Sequence, residues 1–179
     1  MKQKKRRNVP ATILNVVGEL LLIVVILACI PLTVPRVFGY EVYAVISGSM
    51  EPAIPTGSLV YIKAVEAAEV KENDVIAFYS PSNPNAIITH RVIKNQVVSG
   101  QFITKGDANA AEDTTPVPYD CLLGGVQLSV PYAGKVLSAA VTQEGKIAVV
   151  GVIIASVLLQ VVAGQMQKEP KEPKKSEEK

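Results

Sequence analysis

The stretch Asn73-Asp74-Val75-Ile76-Ala77-Phe78-Tyr79-Ser80-Pro81-Ser82-Asn83-Pro84-Asn85-Ala86-Ile87-Ile88-Thr89-His90-Arg91-Val92-Ile93 sets two β-prone runs on either side of a turn cluster. Asp74–Tyr79 and Ile87–Ile93 are rich in Val, Ile and Tyr, side chains that suit a pleated surface. Between them Pro81-Ser82-Asn83-Pro84-Asn85 supplies turn chemistry: proline fixes φ, and asparagine bonds back to its own backbone. Further short runs of the same kind appear on both sides: Tyr40–Ile46, Ser58–Lys63, Gln101–Thr104 and Val126–Val130. Gly, Pro and Asn separate them, and no long amphipathic helix or internal repeat intervenes. The expected fold is mainly β, with a compact antiparallel domain at its centre.

Two apolar blocks flank that domain. From Thr12 to Val34 the chain is almost continuously apolar, and Glu19 is the only charged residue between Arg7 and Arg36. About 23 helical residues at ~1.5 Å each reach ~34 Å, enough for a hydrocarbon core of ~30 Å. A secretory leader has a shorter apolar region, ~7–15 residues, and ends at a small-residue site. No clean Ala-x-Ala follows Val34, so a retained anchor is expected. Glu19 reads as an interfacial carboxylate near one end of the span. The second block, Ile147–Ala163, is interrupted by Ser156 and Gln160 and is just long enough to span.

Charge orders these parts. Of the 179 residues, 1–7 hold Lys2, Lys4, Lys5, Arg6 and Arg7 and no acid. The tail from Lys168 to Lys179 holds five lysines and four glutamates. Lysine and arginine mark cytoplasmic flanks, while glutamate counts little. The reading is therefore a basic cytoplasmic segment 1–11, a transmembrane helix 12–34 and an extracytoplasmic domain 35–146. A second transmembrane helix 147–164 and a disordered cytoplasmic tail 165–179 follow. The lipid bilayer is the first expected partner, in a multi-pass cell-membrane protein with both termini cytoplasmic.

Several function classes fall away. Without its basic ends the chain carries 8 basic and 12 acidic residues, too acidic for a nucleic-acid surface. One histidine and two cysteines, Cys29 and Cys121, do not furnish a plausible metal ligand set. No glycine-rich phosphate loop is present. No cofactor or metal is expected, and Cys29 in the first block is poorly placed to pair with Cys121.

The lone histidine is His90. Ser47-Gly48-Ser49-Met50-Glu51-Pro52 follows a candidate strand, where Gly48 permits a tight turn and Ser49 can present its hydroxyl. Lys105-Gly106-Asp107-Ala108-Asn109-Ala110-Ala111-Glu112-Asp113 offers carboxylates after another strand. A serine hydroxyl becomes nucleophilic when a base takes its proton, and histidine suits that near neutral pH. A carboxylate on the other imidazole nitrogen fixes its tautomer. Each piece alone reads equally well as a turn, a structural histidine or a surface acid loop.

Taken in order, the pieces resemble type I signal peptidases. Ser47-Gly48-Ser49-Met50 with Pro52 and Thr56-Gly57 resembles that family's serine box, and Asn73–Phe78 its next strand. His90-Arg91-Val92 resembles the base box, Lys105-Gly106-Asp107 with Asp113 the acidic box, and Pro131-Tyr132-Ala133-Gly134-Lys135-Val136 a late segment. Histidine before Arg-Val, where the common bacterial enzymes carry lysine, matches the Ser/His branch. That branch includes endoplasmic reticulum, archaeal and Gram-positive sporulation-associated enzymes.

The resemblance implies a signal-peptidase-like β domain and a membrane-bound serine endopeptidase that removes signal peptides after small residues. It makes Ser49 the nucleophile, His90 the base and Asp113 the first choice to orient His90, with Asp107 next. The Ser49 backbone N–H and the Ser47 hydroxyl form the oxyanion site. The partners it implies are signal-peptide-bearing preproteins and the export machinery. Ala108 departs from the family's usual Gly-Asp-Asn-Asn, and single-span relatives lack the second apolar block. Two other readings stand beside it: a catalytically silent anchored β domain that binds within an export or envelope assembly, and a protease using Lys94 or Lys105 as base.

Overall fold

The computed structural model describes residues 8–167; the basic segment and the charged tail read from the sequence lie largely outside them. Helix α1 (Val9–Val37) is followed by strands β1 (Tyr40–Ala44), β2 (Leu59–Lys63), β3 (Val75–Ser80), β4 (Asn83–Gln96), β5 (Gln101–Lys105), β6 (Val117–Pro118) and β7 (Leu122–Val130). Helices α2 (Ala133–Val141) and α3 (Gln143–Gln167) complete the chain. It divides into two compact units, one of residues 1–29 with 143–179 and one of residues 30–142.

In the first unit α1 and α3 are long and apolar enough to cross a membrane. A core helix of a soluble protein would be mostly buried, whereas only 6% and 11% of their most apolar stretches are covered. The helices meet where side chains are smallest. A β-carbon on Gly18 would stand 2.9 Å from the Ser156 carbonyl oxygen, and Ser156 Oγ donates to the Gly18 carbonyl at 2.7 Å. Ser156, a polar break in the second apolar block, is thus fully buried and satisfied rather than facing lipid.

The second unit is a seven-stranded antiparallel sheet of order β1-β2-β7-β3-β4-β5-β6. The expected turn is tighter than its composition suggests. β4 begins at Asn83, with only two residues between it and the end of β3, and runs on to Gln96. β4 pairs with β3 from Asn83 to Arg91, with a register break between Tyr79 and Ser80, and with β5 from Arg91 to Gln96. Besides a cluster of Val42, Leu59 and Tyr61 on β1 and β2, two apolar clusters hold the sheet. One gathers Ile76, Phe78, Val92, Phe102 and Val117. The other gathers Met50, Ile54, Val60, Ile62 and Ala77. Met50 is only 1% exposed, so it pins the turn that carries Ser49 to the core.

Helix α2 has no counterpart among the sequence expectations. Gly134 allows it, because a β-carbon there would sit 2.5 Å from the Ser58 carbonyl oxygen and 2.9 Å from that of Gly57.

Candidate active site

Strand register brings the candidate residues together. Ile76 stands opposite His90, and Lys105 opposite Arg91, so β5 delivers the 106–113 loop to the side of β4 that carries His90. His90 is 7% exposed and packs its ring edge-on against Phe78. Its Nδ1 lies 2.6 Å from Asp113 Oδ2. A carboxylate on that nitrogen favours the Nδ1–H tautomer and leaves Nε2 as the basic lone pair.

Gly106 packs between His90 and the serine turn. A β-carbon on Gly106 would stand 2.6 Å from the Ser49 carbonyl oxygen, 2.8 Å from Asn109 Nδ2 and 2.9 Å from His90 Nε2. Only a residue without a side chain fits so close an approach. The Ala108 N–H donates to the Ser49 carbonyl at 2.9 Å, fastening the same loop to the serine turn. Ser49 Oγ has Ser47 Oγ at 3.4 Å as its neighbour, and no hydrogen bond joins it to His90 among the described residues. Such contacts are often long without substrate and tighten in the complex.

The two candidate acids go to different partners. Asp113 faces His90, whereas Asp107 forms a fork with Arg91: Nε to Oδ1 at 2.8 Å and a terminal guanidinium nitrogen to Oδ2 at 2.6 Å. Arg91 also donates to the Asn73 carbonyl at 2.8 Å. The Arg91 hydrogen bonds hold the Asp107 carboxyl below the usual carboxylate range. Bidentate pairing suits a structural clamp. Lys94 is exposed on β4, and Lys105 is half-buried opposite Arg91.

Sequence reasoning missed two contributors. Thr104 Oγ1 donates to Asp113 Oδ2 at 2.6 Å. Gly106 stands in the sequence only as part of a motif, and no spacing rule identifies it as the point where loop, base and nucleophile turn meet. The Glu51 carboxylate accepts from the Thr56 hydroxyl at 2.8 Å and the Thr56 N–H at 3.2 Å, closing the turn after Ser49. These bonds hold Glu51 below its ordinary carboxylate value.

Beside Ser49 lies a cleft of about 430 Å³, walled by residues 43–47 on one side and 85–89 on the other. Its lining is largely apolar and includes Val45, Ile54, Val60 and Ile87. Tyr43 stands in this wall, its hydroxyl donating to Glu41 Oε2 at 2.5 Å. That bond, with burial and the Glu41 charge, pushes the phenol up to about 12, so it stays neutral at physiological pH. Among the described residues both walls have free strand edges. β1 pairs on one side only, and β4 pairs with β5 only from Arg91 onward.

Residues 16–107 match the family model described as signal peptidase, peptidase S26. That stretch includes Ser49, His90 and Asp107 and ends short of Asp113. Signal peptidase I W of Bacillus subtilis is 45% identical over 86 residues, 46% of this chain and 44% of that protein. The signal peptidase complex catalytic subunit SEC11 of Pyricularia oryzae is 29% identical over 104 residues, 53% of this chain and 60% of its own. The SEC11C subunit of Canis lupus familiaris is 33% identical over 75 residues, 40% and 38% of the two chains. The chain thus spans about half the length of the curated relatives it matches.

Proposed function

Because the chain belongs to the signal peptidase family, peptidase S26, we propose that it is a membrane-bound serine endopeptidase that removes signal peptides by a Ser49–His90–Asp113 mechanism. The observation that carries this reading is the 2.6 Å contact of His90 Nδ1 with Asp113 Oδ2. With it, the other imidazole nitrogen is turned toward Gly106 and the serine turn.

In this reading His90 Nε2 takes the Ser49 hydroxyl proton as Oγ attacks the scissile carbonyl. The Ser49 N–H and Ser47 hydroxyl hold the oxyanion, and one such donor is worth roughly 10²–10³ in rate. His90 then gives its proton to the departing amine, leaving an acyl-enzyme. A water, deprotonated by the same nitrogen, hydrolyses it and returns Ser49. The substrate lies as an added strand in the cleft, its backbone pairing with the free edges and its side chains entering apolar, size-limited pockets. A neutral Tyr43 phenol suits that apolar wall.

The proposed topology sets both termini in the cytoplasm, α1 and α3 across the cell membrane, and residues 35–146 outside. Ser49 follows the first span by only about fifteen residues, which favours a site at the bilayer surface where a signal peptide emerges. Preproteins bearing signal peptides are the proposed substrates and the export machinery a proposed partner. Incubating the detergent-solubilised full chain with a preprotein and mapping the products by mass spectrometry tests the reading. A single cut after a small residue at the end of the signal peptide is expected. Intact preprotein under conditions where the chain stays folded would favour the silent, binding-only reading.

A further inference from the structure

Asp113 stands in the irregular stretch between β5 and β6, so no strand ladder fixes its side chain. Besides His90, contacts with one residue anchor it. The Asp113 N–H donates to the Thr104 carbonyl at 2.8 Å, and Thr104 Oγ1 donates to Asp113 Oδ2 at 2.6 Å. That carboxyl oxygen is the one facing His90 Nδ1. Among the described residues no other side chain makes a hydrogen bond or ion pair with Asp113.

Thr104 itself is 1% exposed, held in β5 opposite the fully buried Val92. Its β-branch stiffens χ1, so the hydroxyl is aimed before any substrate arrives. The Asp113 side chain, by contrast, is 23% exposed and would turn toward water if released.

We infer that Thr104 is a positioning residue of the site: its buried hydroxyl, acting through Asp113, holds the carboxylate on His90 and so keeps His90 Nε2 directed at Ser49. The inference rests on the proposed Ser49–His90–Asp113 reading and extends it by one residue. A merely structural Thr104 would fill space between strands, a task valine performs equally well. A positioning Thr104 needs the hydroxyl, and serine retains it.

Single-turnover and steady-state cleavage of a preprotein by the detergent-solubilised full chain separates these roles. The variants are Thr104→Val, Thr104→Ser, Asp113→Ala, the Thr104→Val/Asp113→Ala pair and Ser49→Ala. Losing a hydrogen bond to a charged group should lower the Thr104→Val rate roughly ten- to a hundredfold, with KM nearly unchanged. Thr104→Ser should recover most of it. In the Asp113→Ala background Thr104→Val should add nothing, because there is no carboxylate left to hold. If Thr104→Val lowers the melting temperature, Thr104→Ala must show the same non-additivity for the inference to stand. A wild-type rate in Thr104→Val, no recovery in Thr104→Ser, or full additivity with Asp113→Ala overturns it. Unimpaired cleavage by Ser49→Ala sinks the underlying reading instead. A normal Thr104→Val beside an inert Ser49→Ala and an impaired Asp113→Ala sinks only the role given to Thr104.

Discussion

Asp107 and Asp113 are six positions apart in one loop, yet the structure gives them different work. Asp113 meets the imidazole and Asp107 meets a guanidinium. An amide at 113 keeps the shape and loses the charge that stabilises an imidazolium. Asp113→Asn should therefore cut turnover by about 10⁴ while barely changing KM, as loss of a triad acid does. Asp107→Asn should instead lower the melting temperature, most at neutral pH. Pairing depresses the folded carboxyl below its ordinary 3.8. Its stabilisation is therefore fully present above that value and fades as pH falls below it toward the depressed folded value. Melting curves of wild type and Asp107→Asn should accordingly converge as the medium is acidified through this range. A gap that stays constant into strong acid contradicts the Arg91 clamp. His90→Lys should be nearly inactive, since a lysine amine differs in reach and none of the contacts here prepares it to lose its proton; near-normal cleavage by that variant at pH 7 counts against histidine as base. Ser49 and His90 stood out in the sequence as candidates because their boxes are short and ordered. The order of the two acids came from the resemblance, with Asp113 set before Asp107; the Arg91 fork on Asp107 was not legible, because it depends on how β5 returns its loop to β4.

At the scale of elements, the β runs were legible because Val, Ile and Tyr clusters were broken by turn residues, and both apolar helices because their length is unusual. What escaped was decided by contacts between distant segments. Val117–Pro118 makes a two-residue strand only because Phe102 lies beside Val117. The segment from Pro131 carried no helix expectation, yet it enters α2 because Gly134 can lie on the Gly57 and Ser58 carbonyls. The loop after β5 is constrained in the same way. Gly106→Ala places a methyl group 2.6 Å from the Ser49 carbonyl oxygen and 2.9 Å from His90 Nε2. Overpacking of this kind costs about 1–3 kcal/mol. The variant should melt earlier and lose most activity, since the methyl separates base from nucleophile. Calorimetry with cleavage kinetics checks both, and an active, equally stable Gly106→Ala contradicts the close approach.

For the whole molecule, two apolar helices flank a β domain along the chain, and the basic ends beyond them predict that residues 40–146 lie outside the cytoplasm. In a background with Cys29 and Cys121 replaced, Ser82→Cys should label from outside intact cells, and Ser176→Cys only after permeabilisation. External labelling at 176 contradicts the two-span topology. Topology serves the chemistry only if this domain performs the cut. The most direct test is therefore the rate at which the purified full chain releases a signal peptide, compared among wild type, Ser49→Ala, His90→Ala and the double variant. The account predicts cleavage by wild type alone, with each single variant as inert as the double, because nucleophile and base act as one unit. Cleavage by Ser49→Ala at the wild-type rate would contradict it.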